Sequence, residues 1–330
     1  MAVYLVTSAD VGAPSLTGQN GSGTTVFDYI FVTVGGLTIQ DTATNKRNYV
    51  LPNGDIYHCV HDNTVTGQVY LMLCRAAESA SAIDTLTNPY PNTTQVADTH
   101  CNFRVSNTSD ATARAWWAIL DTSATTGCFY FFNAASGSTF VNGIWWAGGT
   151  LISALPADNY AAISYNRNNS TTSTNANQSY PHDFVSPLGS GTGKTYLKRS
   201  ADGSIISSAC SGNPWANNSS TAVLGSYANG PTTPHPVDGK IRIAPVAVND
   251  YYSQTNTAGS GVEALRLWIP RMFQPLHISG SYSSIDSGDT WADSAYGASA
   301  KFVFFKCGST TGSGGGVVIQ YDGDWSVPNG

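Results

Sequence analysis

Charge is what this chain has least of: Asp, Glu, Lys and Arg together make up 11% of its 330 residues, against about a quarter in ordinary soluble domains. Glutamate is nearly missing, with Glu78 and Glu263 its sole occurrences. Glu, Lys and Gln are the residues that favour helices, so their shortage argues against a helical protein. The net charge is -6 and the isoelectric point near 5.3. A nucleic-acid footprint needs a basic face to neutralise phosphates, so nucleic acid is not an expected partner.

Further absences narrow the choice. There is no apolar run of about 18 residues, the length a membrane-spanning helix requires, so a membrane is not expected either. The opening MAVYLVTSADVGAP has neither the basic stretch nor the apolar core of a secretory signal. The six cysteines, Cys59, Cys74, Cys101, Cys128, Cys210 and Cys307, show no CxxC spacing. Without a secretory signal they are expected to be reduced, buried thiols. No internal repeat, heptad or collagen-like period is present.

What the chain does have is 41% hydrophobic residues, with 17 Tyr, 12 Phe, 8 Trp and 33 Gly. Aromatics at that level rule out disorder. Its polar fraction is carried by Ser, Thr and Asn, which satisfy turns and strand surfaces without charge. The expected fold is mainly β: a sandwich-like antiparallel core with long Gly/Ser/Thr/Asn-rich loops and few short helices. It is read either as two β-rich modules, 1–155 and 156–330, or as one compact domain.

Along the chain, Val3–Thr7 reads as an opening strand. Ser22–Val34 fits either a Ser/Thr-capped helix or a buried strand, because an apolar run alone does not distinguish them. Asn48–Val50 and Ile56–Val60 flank Pro52-Asn53-Gly54, and Asn-Gly between apolar runs signals a hairpin. Gln68–Arg75 reads as a strand and Thr93–Asp98 as a helical turn. Ala115–Leu120 and Cys128–Asn133 read as a hairpin whose two apolar faces place it between two layers. Asn166–Ser179, a low-complexity polar stretch, reads as a linker or mobile loop. Ile205–Ser208, Ile241–Val248, Leu265–Ile269, Phe302–Lys306 and Val317–Tyr321 read as widely spaced strands.

Several constellations invite a chemical reading. Gly189–Thr195 (GSGTGKT) resembles a phosphate-binding loop, but Leu188 occupies the place of its first Gly, and no helix-forming segment follows. His58 and His61, near Asp55 and Asp62, form the best local metal cluster. Side chains alternate along a strand, however, so the two imidazoles point to opposite faces, and neither HExxH nor the facial-triad spacing occurs. His182-Asp183 and Pro234-His235-Pro236 read as loop residues. Asp286, Asp289, Asp293, Asp322 and Asp324 could supply a glycosidase pair, yet each stands beside Gly or Ser or close to one, as turn aspartates do. No GxSxG elbow exists. Trp116-Trp117 and Trp145-Trp146 could stack on sugar rings, but neighbours on a strand face opposite ways, and the Trp116 pair lies in the doubly apolar hairpin. Catalytic, cofactor-binding and metal residues are therefore all expected to be none.

Three N-terminal segments, GAPSLTGQNGSG (Gly12–Gly23), TNKRNYVLPNGDIYHCVHD (Thr44–Asp62) and SNTSDATARAWW (Ser106–Trp117), occur in that order. They are followed by LRLWIPRMFQPLH (Leu265–His277), GDTW (Gly288–Trp291) and VVIQYDGDW (Val317–Trp325). This colinear series resembles a family of bacteriophage virion structural proteins. Arg271 departs from it where a Gly after the proline is expected, and Asp324 where a Pro is expected. The resemblance implies a non-catalytic virion component of the tail, neck, collar or baseplate, with other virion proteins and copies of itself as partners. The alternatives are a tail-tip receptor- or glycan-binding protein using Trp145, Trp146 and Trp291 on a host surface glycan, a capsid decoration protein, and a glycan-cleaving enzyme. No cofactor is implied. The expected location is the virion, assembled in the bacterial cytoplasm.

Overall fold

The computed structural model describes residues 3–63, 71–89, 101–106, 108–121, 128–135, 141–151, 160–166, 194–199, 205–208, 243–250, 264–275, 287–306 and 316–323. The fold is mainly β, in antiparallel sheets with few helices. In chain order the strands are β1 (Val3–Thr7), β2 (Thr38–Ala43), β3 (Lys46–Val50), β4 (Ile56–Val60), β5 (Leu71–Ala77), β6 (Ser79–Ala82), β7 (Thr85–Thr87) and β8 (Cys101–Arg104). They continue as β9 (Trp116–Asp121), β10 (Cys128–Ala135), β11 (Val141–Leu151), β12 (Tyr160–Asn166), β13 (Lys194–Arg199) and β14 (Ile205–Ser208). The last are β15 (Ile243–Asp250), β16 (Ala264–Pro275), β17 (Thr290–Ala292), β18 (Lys301–Lys306) and β19 (Gly316–Asp322).

Three larger sheets and a hairpin result. One sheet has seven strands in the order β1-β9-β10-β11-β12-β13-β14; a second runs β2-β3-β4-β5-β8; a third runs β15-β16-β19-β18-β17; and β6 pairs with β7 alone. Residues 152–159 therefore connect two neighbouring strands of one sheet, β11 and β12.

Ser22–Val34 is helical: α1 (Ser22–Phe27) runs into a π-helical segment, Asp28–Val34. Val26, Phe27, Ile30 and Phe31 form the buried stripe, the spacing of a helix face rather than of a strand. Gly35 N donates to Ile30 O at 2.9 Å, a five-residue reach that closes the wide turn. This helix lies between two sheets. Its core cluster joins Trp116, Ala118 and Leu120 of β9 to Tyr49, Tyr57, Cys59, Met72 and Cys74 of the second sheet. Phe31 meets Tyr49 and Tyr57 edge-on, with ring centroids 5.1 and 5.9 Å apart.

β9 is buried on both faces, as its doubly apolar sequence led us to expect. The even-numbered residues face the helix, and Trp117 on the odd face meets Phe305 of β18 edge-on at 6.0 Å. The strand is thus held between two cores. The third sheet has its own cluster on its other side, built from Ile243, Phe273, Phe302, Phe304 and Val318.

Other expectations match to within a few residues. The Pro52-Asn53-Gly54 turn joins β3 and β4, with Val50 opposite Ile56 and Gly54 at φ +88°. β9 and β10 pair as a hairpin. Of the Gln68–Arg75 strand, residues 71–75 lie in β5 (Leu71–Ala77), and residues 68–70 lie outside the described residues. Leu265–Ile269 is the first part of the longer β16. Thr93–Asp98 lies outside the described residues, as does Asn166–Ser179 apart from Asn166.

Candidate functional site: the junction of the N-terminal segments

The segments around Gly12–Gly23, Thr44–Asp62 and Ser106–Trp117, far apart in sequence, meet in one place. Arg114 N donates to Leu16 O at 2.8 Å in an isolated antiparallel bridge. Gly18 N donates to Asp110 O at 3.1 Å. A Cβ on Gly18 would overlap the Thr108 carbonyl, so this approach demands glycine. The Arg114 guanidinium then gathers Ser106 Oγ, Thr108 Oγ1 and Asp110 Oδ1 at 3.3, 3.0 and 3.1 Å. Trp116 Nε1 donates to Pro14 O at 3.1 Å, anchoring the indole in the core beside Tyr29.

His61 ties in the second segment. Its Nδ1 accepts from Gly23 N at 2.8 Å, its carbonyl accepts from Gly21 N at 2.9 Å, and its own N–H donates to Asn45 O at 2.9 Å. Because Nδ1 is an acceptor, the ring is neutral with its proton on Nε2. Asn45 holds φ +60°, a left-handed conformation that Asn tolerates. It donates to Asp62 at 3.2 Å.

Beside this junction lies an open polar cleft of about 460 Å³, lined by Ser15, Thr17, Gln19, Thr25, Asn45 and Arg47 among others. Most of its polar groups are already engaged. Ser22 Oγ donates to Thr17 O at 2.7 Å, Thr25 Oγ1 donates to Gly21 O at 3.0 Å, and Arg47 Nε reaches both oxygens of Asp28 at 3.1 and 3.0 Å. Tyr49 donates to Asp28 Oδ1 at 2.9 Å, and burial first, then the charges of Cys59 and Asp28, pushes its phenol well above the usual range. These bonds tie most of the cleft's polar side chains to the junction beside it.

A second cluster sits in the second sheet. Asn48, His58 and Arg75 are successive register partners on β3, β4 and β5. Asn48 and His58 are fully buried. His58 Nδ1 lies 2.7 Å from the Asn48 side-chain amide, and its Nε2 lies 3.8 Å from Asp84 Oδ1 on the β6–β7 turn. Lys46 Nζ donates to Asp84 Oδ2 at 2.6 Å. Burial, reinforced by the Arg75 charge, lowers the His58 pKa to about 4. His58 and His61 have separate sets of partners, and among the described residues no three His, Cys, Asp or Glu side chains group as metal ligands do.

The remaining candidates have identifiable structural uses. Asp293 Oδ1 accepts from Ala295 N at 3.0 Å and so caps a single 3-10 turn. Asp322 accepts from Lys301 at 2.7 Å in a surface ion pair, and at Asp289 the backbone carbonyl, not the carboxylate, accepts from Phe304 N at 2.9 Å. Asp286 and Asp324 lie outside the described residues. Trp117 is half-buried against Phe305, and Trp291 stacks on Phe302 at 5.7 Å, which covers one of its faces. Trp145 and Trp146 lie in β11, and their side chains are outside the described residues. Lys194 and Thr195 open the strand β13, whereas the Lys-Thr of a phosphate-binding loop opens a helix. Cys59 and Cys74 are free, buried and opposite one another, with sulfurs 3.3 Å apart.

Sequence reasoning identified the segments of the junction but not their meeting, which depends on the Leu16–Arg114 bridge between residues about a hundred positions apart. It also missed Arg75 and Asp84, because only the strand register brings them to His58. No protein family, curated protein or solved structure matches this chain.

Proposed function

We propose that this chain is a non-catalytic bacteriophage virion structural protein, working as one of several copies in a tail, neck or baseplate assembly. The observation that carries the reading is the colinear series of segments that resembles such a family, together with the use the first three make of one another. Their Gly, Asn, Asp and Arg residues are spent on locking a fold. A surface poor in charge and rich in Ser, Thr and Asn suits wet interfaces with modest desolvation cost. Many weak contacts made together then hold such an assembly.

The test is immunogold electron microscopy on purified virions with antibody against the recombinant chain, paired with mass spectrometry of disrupted particles. Label at one discrete position, or peptides at a fixed ratio to the major capsid protein, is the expected result. Absence from both measurements, with the protein abundant in the lysate, would overturn the assignment.

A further inference from the structure

The buried polar row of the second sheet has the makings of a ligand site. Among the described residues its face carries Lys46, Asn48, His58 and Arg75, with the carboxylate of Asp84 set above them. Asp41 stands opposite Asn48 on β2, and its Oδ1 accepts from Thr42 N at 2.8 Å. The partners of Asp84 are sequestered while Asp84 is not: side-chain exposure is 19% for Lys46 and 1% for His58, against 55% for Asp84. The carboxylate therefore arrives from outside, on a two-stranded hairpin that belongs to none of the three larger sheets. Such a hairpin is marginal alone in water. This one is held at its tip by Asp84 and along its side by Gln40 Nε2, which donates to Ala80 O at 2.7 Å.

The Asn48–His58 contact sharpens the picture. Asn48 Oδ1 lies 2.7 Å from His58 Nδ1 while its Nδ2 has no partner; with the amide turned over, the NH2 group donates to Nδ1 and Oδ1 takes the unpartnered place. The ring proton then sits on Nε2 and faces Asp84. Lys46 Nζ and His58 Nε2–H thus converge on one carboxylate, with the Arg75 charge close by. Removing Asp84 takes away the carboxylate that faces both the partly buried Lys46 ammonium and the His58 ring.

We propose that Lys46, His58 and Arg75 form a carboxylate-binding site, filled in the isolated chain by Asp84 and open to an external carboxylate when the β6–β7 hairpin lifts away. The ligand class is a carboxylate, of a small acid or of an acidic side chain on another polypeptide. The site is independent of any role in a virion.

The test uses the full chain, Asp84→Ala and the double variant D84A/K46M, melted in sodium acetate and in sodium chloride at equal ionic strength. Asp84→Asn, which keeps the shape of the side chain, is measured beside D84A. D84A is expected to lose about 2–4 °C in Tm, and acetate is expected to restore much of that loss in a saturable way that chloride does not reproduce. The unsubstituted chain, its site already filled, and D84A/K46M, its main donor gone, are expected to show no acetate-specific gain. The site does not exist if acetate and chloride act alike on D84A and D84N. It is equally excluded if the unsubstituted chain or D84A/K46M gains as much as D84A.

Discussion

Arg271 Nε donates to Asp121 Oδ2 at 2.6 Å, with both side chains fully buried, and so β16 is tied to β9 across 150 positions of sequence. Arg271 holds φ +63°, a backbone region that costs a residue with a Cβ about 1–2 kcal/mol. It stands where β16 takes five steps, from Trp268 to Phe273, while β15 takes two, from Ala247 to Pro245. Its NH1 donates to Gly323 O at 2.9 Å. The conformation suits glycine, and the side chain is what makes arginine worth its strain there.

Replacing Arg271 by Gly should therefore act in two opposite ways. Relief of the left-handed strain returns about 1 kcal/mol, while removing the guanidinium that pairs with buried Asp121 costs about 3–5 kcal/mol. A net loss of about 2–4 kcal/mol is expected in urea unfolding. D121N/R271G should recover much of it, because no charge is then stranded. Costs that simply add in the double variant would show that the two side chains do not depend on one another.

Acid should weaken the fold through His58. Its pKa is about 4 in the folded chain, and about 6.5 when unfolded. The unfolded chain therefore takes up a proton that the native chain refuses, so stability is fully present above about pH 6.5 and falls until about pH 4, where the difference is exhausted. The loss amounts to about 3 kcal/mol over that window. His58→Gln should flatten this part of the curve when urea midpoints are measured at successive pH values. An unchanged slope in H58Q would assign the acid sensitivity to other groups.

Gly12 and Gly18 separate two costs of adding a Cβ. At Gly12, φ is +84° with open space around it, whereas at Gly18 the new carbon would strike the Thr108 carbonyl. G12A should cost about 1 kcal/mol from backbone strain alone. G18A should cost about 1–3 kcal/mol or more, because backbone rather than a flexible side chain must move. Thermal melts showing G18A as harmless as G12A would mean that the junction yields easily.

The sequence disclosed what local chemistry controls. Pro52-Asn53-Gly54 announced its hairpin because the turn needs φ > 0 at glycine, and the apolar run Ala115–Leu120 announced a strand buried on both faces. Ser22–Val34 stayed open between helix and strand, since its outcome depends on the two sheets that clasp Phe27 and Phe31. β2, with TIQDTA, was missed because its exposed edge lacks apolar alternation. The His58 row was illegible for a different reason. Register across three strands decides which polar residues meet, and no single segment encodes it.

The burial of β9 on both sides sets an order of events during synthesis. Its helix-facing side can be covered as soon as the first 121 residues have emerged, since α1, β1 and β3–β5 all precede it or lie close by. Its other side waits for Phe305 and Arg271, and the Gly323 carbonyl that steadies Arg271 comes later still. A nascent chain halted midway therefore carries Trp117 and an unneutralised Asp121 on an uncovered surface, and such surfaces attract chaperones and neighbouring chains. β9 is therefore enclosed on both faces only after β16 and β18 have been made, long after its helix-facing side can be covered.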